Sequence, residues 1–355
     1  MTVVTKNGSM SDFTHPKNNA QLRLAVAGGV FIMMFMWLYS EIKGMEAVLA
    51  ASTIGRGSDS FVPSRRAASV VEAGEYGPRP GYSLAYHESY GYFNDVSDTT
   101  WEMSKDWAQG FKQHAHNKEK FAFYRGPRAW YNYHYDAYFS CPEAKRVGGV
   151  GDGPKWTCDI HRIKGIGERR WEQAQKASGK KEPYDANKYG CLVYSIGSNG
   201  DYTFEEAVLK HMGGPSCEIH IFDPTGEYAR PENAEKNMHF HHWGLMGSKQ
   251  NKTKDMYDIF EIMKKLGHED RVIDIFKIDC EGCEWESSKD FVPMQNLRQI
   301  LLETHGLLET VEETVAFYDR FAANNLVIFS KEANIESNGC LEYSFLRLHP
   351  DFLNR

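Results

Sequence analysis

CLVYSIGSNGDYTFEEAVLKHMGGPSCEIHIFDP, residues 191–224, decides the fold of this chain. It reads as a buried strand, a glycine turn, a helix and a second buried strand that ends in an acid. The first strand, Leu192 to Ile196, is rich in β-branched and aromatic residues. Gly197 and Gly200 bracket Ser198 and Asn199, and Asp201 to Lys210 has helical spacing, with Phe204, Ala207 and Val208 on one side. A chain that leaves a strand, touches a ligand and enters a helix needs residues without a Cβ. Glycine permits positive φ and close backbone approach, and the helix N-terminus presents free N–H groups. The second strand, Glu218 to Phe222, ends at Asp223. An acid there, about 20 residues past the turn, is placed to accept hydrogen bonds from both ribose hydroxyls of an adenosine.

The turn also selects among cofactors. A dinucleotide site prefers G-x-G-x-x-G, because a pyrophosphate sits against the helix N-terminus. Here Gly197-x-x-Gly200 is followed by Asp201. An acid in that first turn repels a pyrophosphate but tolerates a sulfonium and an amino group. S-adenosyl-L-methionine is therefore favoured over a nicotinamide cofactor, with Gly197, Asn199, Gly200, Asp201 and Asp223 as the cofactor-binding residues.

Four further segments carry a resemblance: YSIGSNGDYTFEEAV (194–208), CEIHIFDP (217–224), KIDCEGCEWE (277–286) and LLETHG (301–306). With them, residues 186–350 resemble a class I S-adenosylmethionine-dependent methyltransferase. Within that class the chain resembles the membrane-anchored methyltransferase-like protein 24 group, related to FkbM-type methyltransferases. The upstream stretch CPEAKRVGGVGDGPKWTCD (141–159) is similar to that group as well. The resemblance implies an α/β fold with a Rossmann-like, seven-stranded, mostly parallel sheet. It departs from the wider class at Ser195, where many members carry an acid, and Asp201 is the candidate replacement.

The remaining pattern agrees with alternating strands and helices. Met238 to Leu245 reads as a third strand and its exit, Lys254 to Leu266 as a helix, and Val272 to Ile278 as a fourth strand. Gln299 to Leu302 is a fifth strand and Glu309 to Ala323 a helix. Leu326 to Phe329 and Leu341 to Leu348 form a closing antiparallel pair. In such sheets ligands bind outside the carboxyl ends of the strands, where Gly197, Asp223, Asp279 and Glu303 fall.

Methyl transfer needs in-line attack and often a base for the acceptor proton. The catalytic candidates are Asp279, His305 and Glu281; the competing reading is that the acids only bind cofactor or cap a helix. No metal is assigned. Asp279, Glu303 and His305 offer a divalent-cation set, and His239 with His241 a zinc pair, but the spacing demands neither. Cys280 and Cys283 form a C-x-x-C that reads equally as a disulfide, two buried thiols or coincidence.

Leu24 to Tyr39 is sixteen residues without a charge, preceded by Lys6, Lys17 and Arg23. With its flanks it is about 27 Å long as a helix, enough for a bilayer core. The expected layout is a cytoplasmic tail (1–21), a transmembrane signal anchor (22–40), a flexible stem (41–81), an aromatic-rich helical cap (82–185) and the methyltransferase-like domain (186–355). A cleaved signal peptide is the alternative. Either way the globular part is expected to be lumenal, in the Golgi or endoplasmic reticulum, or extracellular. Trp101, Trp107 and Phe111 fit an amphipathic helix, and the aromatics of 125–139 are expected to pack over the sheet and to line an acceptor pocket.

A net charge of −7 provides no basic footprint for nucleic acid. The basic stretch from Arg162 to Lys181 reads as a solvated face or loop, with an anionic acceptor as the alternative. Cys141 and Cys158 flank one glycine-rich loop and are the favoured disulfide among seven cysteines. Asn251 begins a glycosylation acceptor. The expected function is O-methylation of a sugar, glycan or small-molecule acceptor in the secretory pathway. The alternative is a methyltransferase fold that binds without turnover.

Overall fold

The structure is a computed structural model and describes residues 83–114, 123–212, 217–225 and 237–353. The expected tail, anchor and stem lie outside these residues. Among those described, no helix is long and apolar enough to cross a membrane.

The core is one seven-stranded sheet. Its strands are β3 (Cys191–Ile196), β4 (Cys217–Phe222), β5 (Met238–His241), β8 (Ile273–Ile278), β9 (Leu297–His305), β10 (Leu326–Ala333) and β11 (Cys340–Arg347). The spatial order is β10-β11-β9-β8-β3-β4-β5. The pairs from β9 across to β5 are parallel, and β11 runs antiparallel to both neighbours. Every residue of β3 and β8 is buried, as expected for central strands covered on both faces. The helices that cover them are α6 (Thr203–Met212), α7 (Ile259–Leu266), α8 (Cys283–Phe291) and α9 (Val311–Ala323).

Two boundaries differ from the sequence reading for local reasons. The helix expected from Lys254 begins only at Ile259, because Asp258 and Glu261 close a capping box there. Met256–Tyr257 (β7) instead pairs with Gly244–Leu245 (β6). The fifth strand runs on to His305 because β11 pairs with it along that length.

In front of the sheet come α1 (Leu84–Glu88), α2 (Asp98–His114), α3 (Pro127–Tyr133), the hairpin β1 (Lys145–Val147) and β2 (Lys155–Thr157), α4 (Ile166–Ser178) and α5 (Ala186–Tyr189); α10 (Pro350–Leu353) closes the chain. On α2, Trp101, Lys105 and Ala108 face inward, and Trp101 Nε1 donates to the buried Glu88 carboxylate at 2.7 Å. Trp107 belongs to the outer face, 63% exposed and stacked on Phe111, contrary to the expected shared face. The aromatics of 125–139 cover the edge strand β10 and helix α9. Tyr135 stacks on Tyr318 with centroids 4.5 Å apart, and the amides of Tyr138 and Phe139 donate to Ile328 O. They blunt a sheet edge. None of them lines the large cavity at the carboxyl ends of the strands.

Three disulfides are present, Cys141–Cys158, Cys191–Cys217 and Cys280–Cys283, with Cys340 free. The first is the pair favoured from the sequence. The second joins residues that are opposite one another where β3 and β4 begin, a register no sequence spacing reveals. Replacing Cys191 and Cys217 together by alanine is expected to lower stability by about 3 kcal/mol, read from urea unfolding. An unchanged midpoint would show the bond to be incidental.

Candidate active site

The turn after β3 is held open by its own backbone. Gly197, Asn199 and Gly200 have φ of 77°, 45° and 78°. Gly197 N donates to Phe222 O at 2.8 Å, and Asp279 N donates to Ile196 O at 2.9 Å. The turn is therefore clamped between the ends of β4 and β8. A Cβ on Gly197 would lie 1.6 Å from Asp279 O, so only glycine fits.

Asp223 fastens the same turn. Its Oδ2 accepts from Ser198 N (3.0 Å) and Asn199 N (2.8 Å), and its Oδ1 from Thr225 N (2.9 Å) and Thr225 Oγ1 (2.6 Å). Burial pushes the Asp223 carboxyl up, but the bonds from Thr225, Asn199 and Ser198 outweigh it and hold it below the usual range. A carboxylate has about four lone-pair sites, and all are engaged. A ribose hydroxyl is received here only in exchange for a side-chain hydroxyl, which refines the simple expectation that Asp223 waits free for the ribose.

A cavity of about 590 Å³ opens at the carboxyl ends of β3, β4 and β8, within the range typical of small-ligand sites. Gly197, Asn199, Asp201, Asp223, Asp279 and Glu281 line it, while Gly200 and His305 do not. Asp152, between Gly151 and Gly153 of the β1–β2 loop, forms one wall and Lys277 another. Asp201 is exposed and caps α6 through a bond from Thr203 N at 2.9 Å. Ser195 is fully buried and bonds to Glu205, whose other carboxylate oxygen is buried without a partner. Glu205 thus places an acid against position 195 beneath the turn, without lining the cavity. Asp201, the candidate to meet the cofactor's amino group in place of an acid at 195, lines the cavity.

The acids expected to work together converge on a lysine that sequence reasoning missed. Lys155, buried on β2, places Nζ 3.2 Å from Asp279 Oδ2, 2.8 Å from Glu303 Oε2 and 2.6 Å from Glu342 Oε1. Its stretch, 141–159, carries part of the resemblance, but nothing in a lysine of a three-residue strand announces burial. Two of the acids proposed as cation ligands, Asp279 and Glu303, already hold an ammonium. Burial opposes the Lys155 charge, yet Glu342, Asp279 and Glu303 raise it above an ordinary lysine. Burial also works against the Asp279 charge, but Lys155, Lys277 and His305 hold its carboxyl below the usual value. Glu342 goes the other way: burial, with help from Glu303, raises it well above an ordinary carboxyl against the pull of Lys155.

His305 stands behind this cluster. Its ring lies 3.3 Å from Glu284 Oε1, 3.6 Å from Glu281 Oε2 and 3.7 Å from Asp279 Oδ1. Burial lowers its affinity for a proton, but Glu284, Glu303 and Glu281 outweigh that and raise it to about 9. A value raised this far favours the imidazolium at neutral pH, a form without a lone pair for an acceptor proton. Glu281 is 89% exposed at the rim. Because the folded value is raised from 6.5 to about 9, the stability contributed by His305 is present below 6.5 and lost as pH rises through 9. His305→Gln is expected to flatten the stability–pH curve in that window, measured by urea unfolding; an unaltered curve would refute the assignment.

The imidazoles suggested as a zinc pair lie elsewhere. His241 Nε2 meets His220 Nδ1 at 2.9 Å, and His239 stacks on His220. Together they form part of an aromatic stack on the β4–β5 edge rather than one shared ligand set.

The chain matches, over residues 83–347, the family described as a methyltransferase domain. It belongs to that family, and it is an enzyme whose cofactor is S-adenosyl-L-methionine. No curated protein matches it. Among solved structures it is similar to the Methanococcus jannaschii fibrillarin pre-rRNA processing protein at 8% identity, covering 51% of this chain and 76% of that one, with a TM-score of 0.29. It is similar also to Aeropyrum pernix fibrillarin in complex with natively bound S-adenosyl-L-methionine, at 13% identity, covering 58% and 86%, with a TM-score of 0.30. Likeness at this level carries no argument about the site.

The residues present fit the cofactor. The clamped glycine turn leaves room for close approach, Asp223 borders the cavity, and the acidic lining suits a group bearing net positive charge. Gly197, Asn199, Asp201 and Asp223 would hold it. When bound, it supplies a methyl group activated by its sulfonium.

Proposed function

We propose that this enzyme methylates a hydroxyl oxygen of a sugar, glycan or small hydroxylated acceptor. Asp279 is the observation that carries the reading. Its carboxylate borders the cofactor cavity while its backbone closes the glycine turn. An ionised carboxylate there takes a hydrogen bond from the acceptor hydroxyl, orients the oxygen for in-line attack and receives its proton as the charge develops. Lys277, which donates to Gly197 O at 3.0 Å, steadies the turn on the opposite side.

The compartment we propose is the oxidising lumen of the secretory pathway or the extracellular side, with residues 22–40 as anchor and 41–81 as stem. Six cysteines paired within one small fold support it, since such bonds persist in oxidising surroundings. The finer kinship we propose is with the methyltransferase-like protein 24 group. The test is transfer of a labelled methyl group to a panel of neutral glycans and small alcohols, with Asp279→Asn alongside. Labelling of a hydroxyl that falls by about 100-fold or more in the variant is expected. Transfer that Asp279→Asn leaves intact would remove Asp279 from the mechanism.

A further inference from the structure

The hairpin that carries Lys155 lies far ahead of the turn, strands and acids that define the methyltransferase site. It is nonetheless locked onto them. Ser344 Oγ donates to Trp156 O at 2.9 Å, and Cys158 N donates to Gln299 Oε1 at 2.9 Å. Cys141–Cys158 closes the segment behind it. Strand alternation then does the rest. Lys155 and Thr157 on β2 turn inward, Gln299 and Glu303 share one face of β9, and Glu342 and Ser344 come from β11 to meet the same hairpin.

We propose that Lys155 is a positioning residue, which holds Asp279 ionised and aimed at the cavity, and that the β1–β2 hairpin is therefore part of the active site. The inference rests on the methyl-transfer reading above. Asp279 is faced by Lys155 from β2, by Lys277 from β8 and by His305 from β9. Lys155 is faced by Asp279, Glu303 and Glu342 and by the carbonyl of Asp152. Asn334 Nδ2 bonds Glu303 Oε1 at 2.9 Å and also reaches Asp152. Without the ammonium, three carboxylates would crowd one buried spot, and like charges so close share protons rather than all ionise. Glu342, already raised by burial, is the first to hold a shared proton, and Asp279, left with only Lys277 and His305 against its own burial, rises from its depressed value.

The cofactor is its own probe of that charge. S-adenosylmethionine carries a sulfonium, and S-adenosylhomocysteine carries a neutral thioether in its place. The ratio of their dissociation constants therefore reports whether Asp279 is ionised. Calorimetric titration of both ligands into the full chain is expected to give a ratio that is flat from pH 6 to 8, with His305 still protonated throughout. In Lys155→Met the preference for the sulfonium is expected to fall with decreasing pH, by up to about tenfold per unit below the new titration point. Lys155→Arg is expected to restore the flat profile. A purely structural lysine would weaken both ligands alike and leave the ratio flat.

A folded Lys155→Met with a flat ratio would overturn the proposal. So would a wild-type ratio that itself declines between pH 8 and 6, which requires no variant. Should Lys155→Met not fold, Asp279→Asn supplies the second arm: its sulfonium preference is expected to drop about tenfold at pH 7, and an unchanged preference overturns the proposal. Failure of the wild-type protein to bind either ligand would defeat the cofactor site itself, a different result.

Discussion

Gly197→Ala is expected to lose cofactor binding altogether and to lower stability by about 3 kcal/mol. The added Cβ would sit 1.6 Å from Asp279 O and 2.7 Å from its carbonyl carbon, distances no real contact reaches. Gly197 also has φ of 77°, where a Cβ costs about 1 kcal/mol. Overpacking against backbone adds about 1–3 kcal/mol. Because Asp279 O is main chain, no side chain can swing away to relieve the clash. The turn or the end of β8 must shift, breaking Gly197 N to Phe222 O or Asp279 N to Ile196 O. Urea unfolding and calorimetric titration with S-adenosylmethionine measure both effects. A variant with wild-type midpoint and affinity would mean that the clamp is not as tight as it stands here.

Asp223→Ala is expected to weaken S-adenosylmethionine by about 30-fold or more. The carboxylate accepts the amides of Ser198, Asn199 and Thr225, and bonds to a charged acceptor are worth about 1.5–3 kcal/mol each. Losing two of them frees the turn, and about 2 kcal/mol transmitted to the ligand is that 30-fold. Its folded carboxyl is held below the ordinary 3.8. Its contribution is therefore present above pH 3.8 and lost as pH falls through the lower folded value. Affinity near wild type in Asp223→Ala would leave the acid a purely peripheral role.

Much of this site was readable along the chain because its parts are local. Gly197 to Asp223 is a contiguous strand–turn–helix–strand unit, and each requirement falls on neighbouring residues: no Cβ at the turn, an acid at the end of the next strand. Asp279 was readable for the same reason, since it closes an apolar run. The closing pair Leu326–Ala333 and Cys340–Arg347 was foreshadowed by its two apolar stretches, though only their pairing with one another, and of the second with β9, set their lengths. The charge that His305 carries was not readable along the chain. Four carboxylates from two segments surround its ring, and a proton affinity is a sum over neighbours in space.

Pattern and periodicity along the backbone were enough for the sheet class, the cofactor turn and the acids at the strand ends, because each depends on residues within a few positions of one another. Folding alone brought Lys155 from β2 among Asp279, Glu303 and Glu342, set Cys191 opposite Cys217, and turned the aromatics of 125–139 toward an edge strand instead of the cavity. Those contacts join residues as many as 200 positions apart. Burial and long-range charge act through distance in space, which a sequence does not measure.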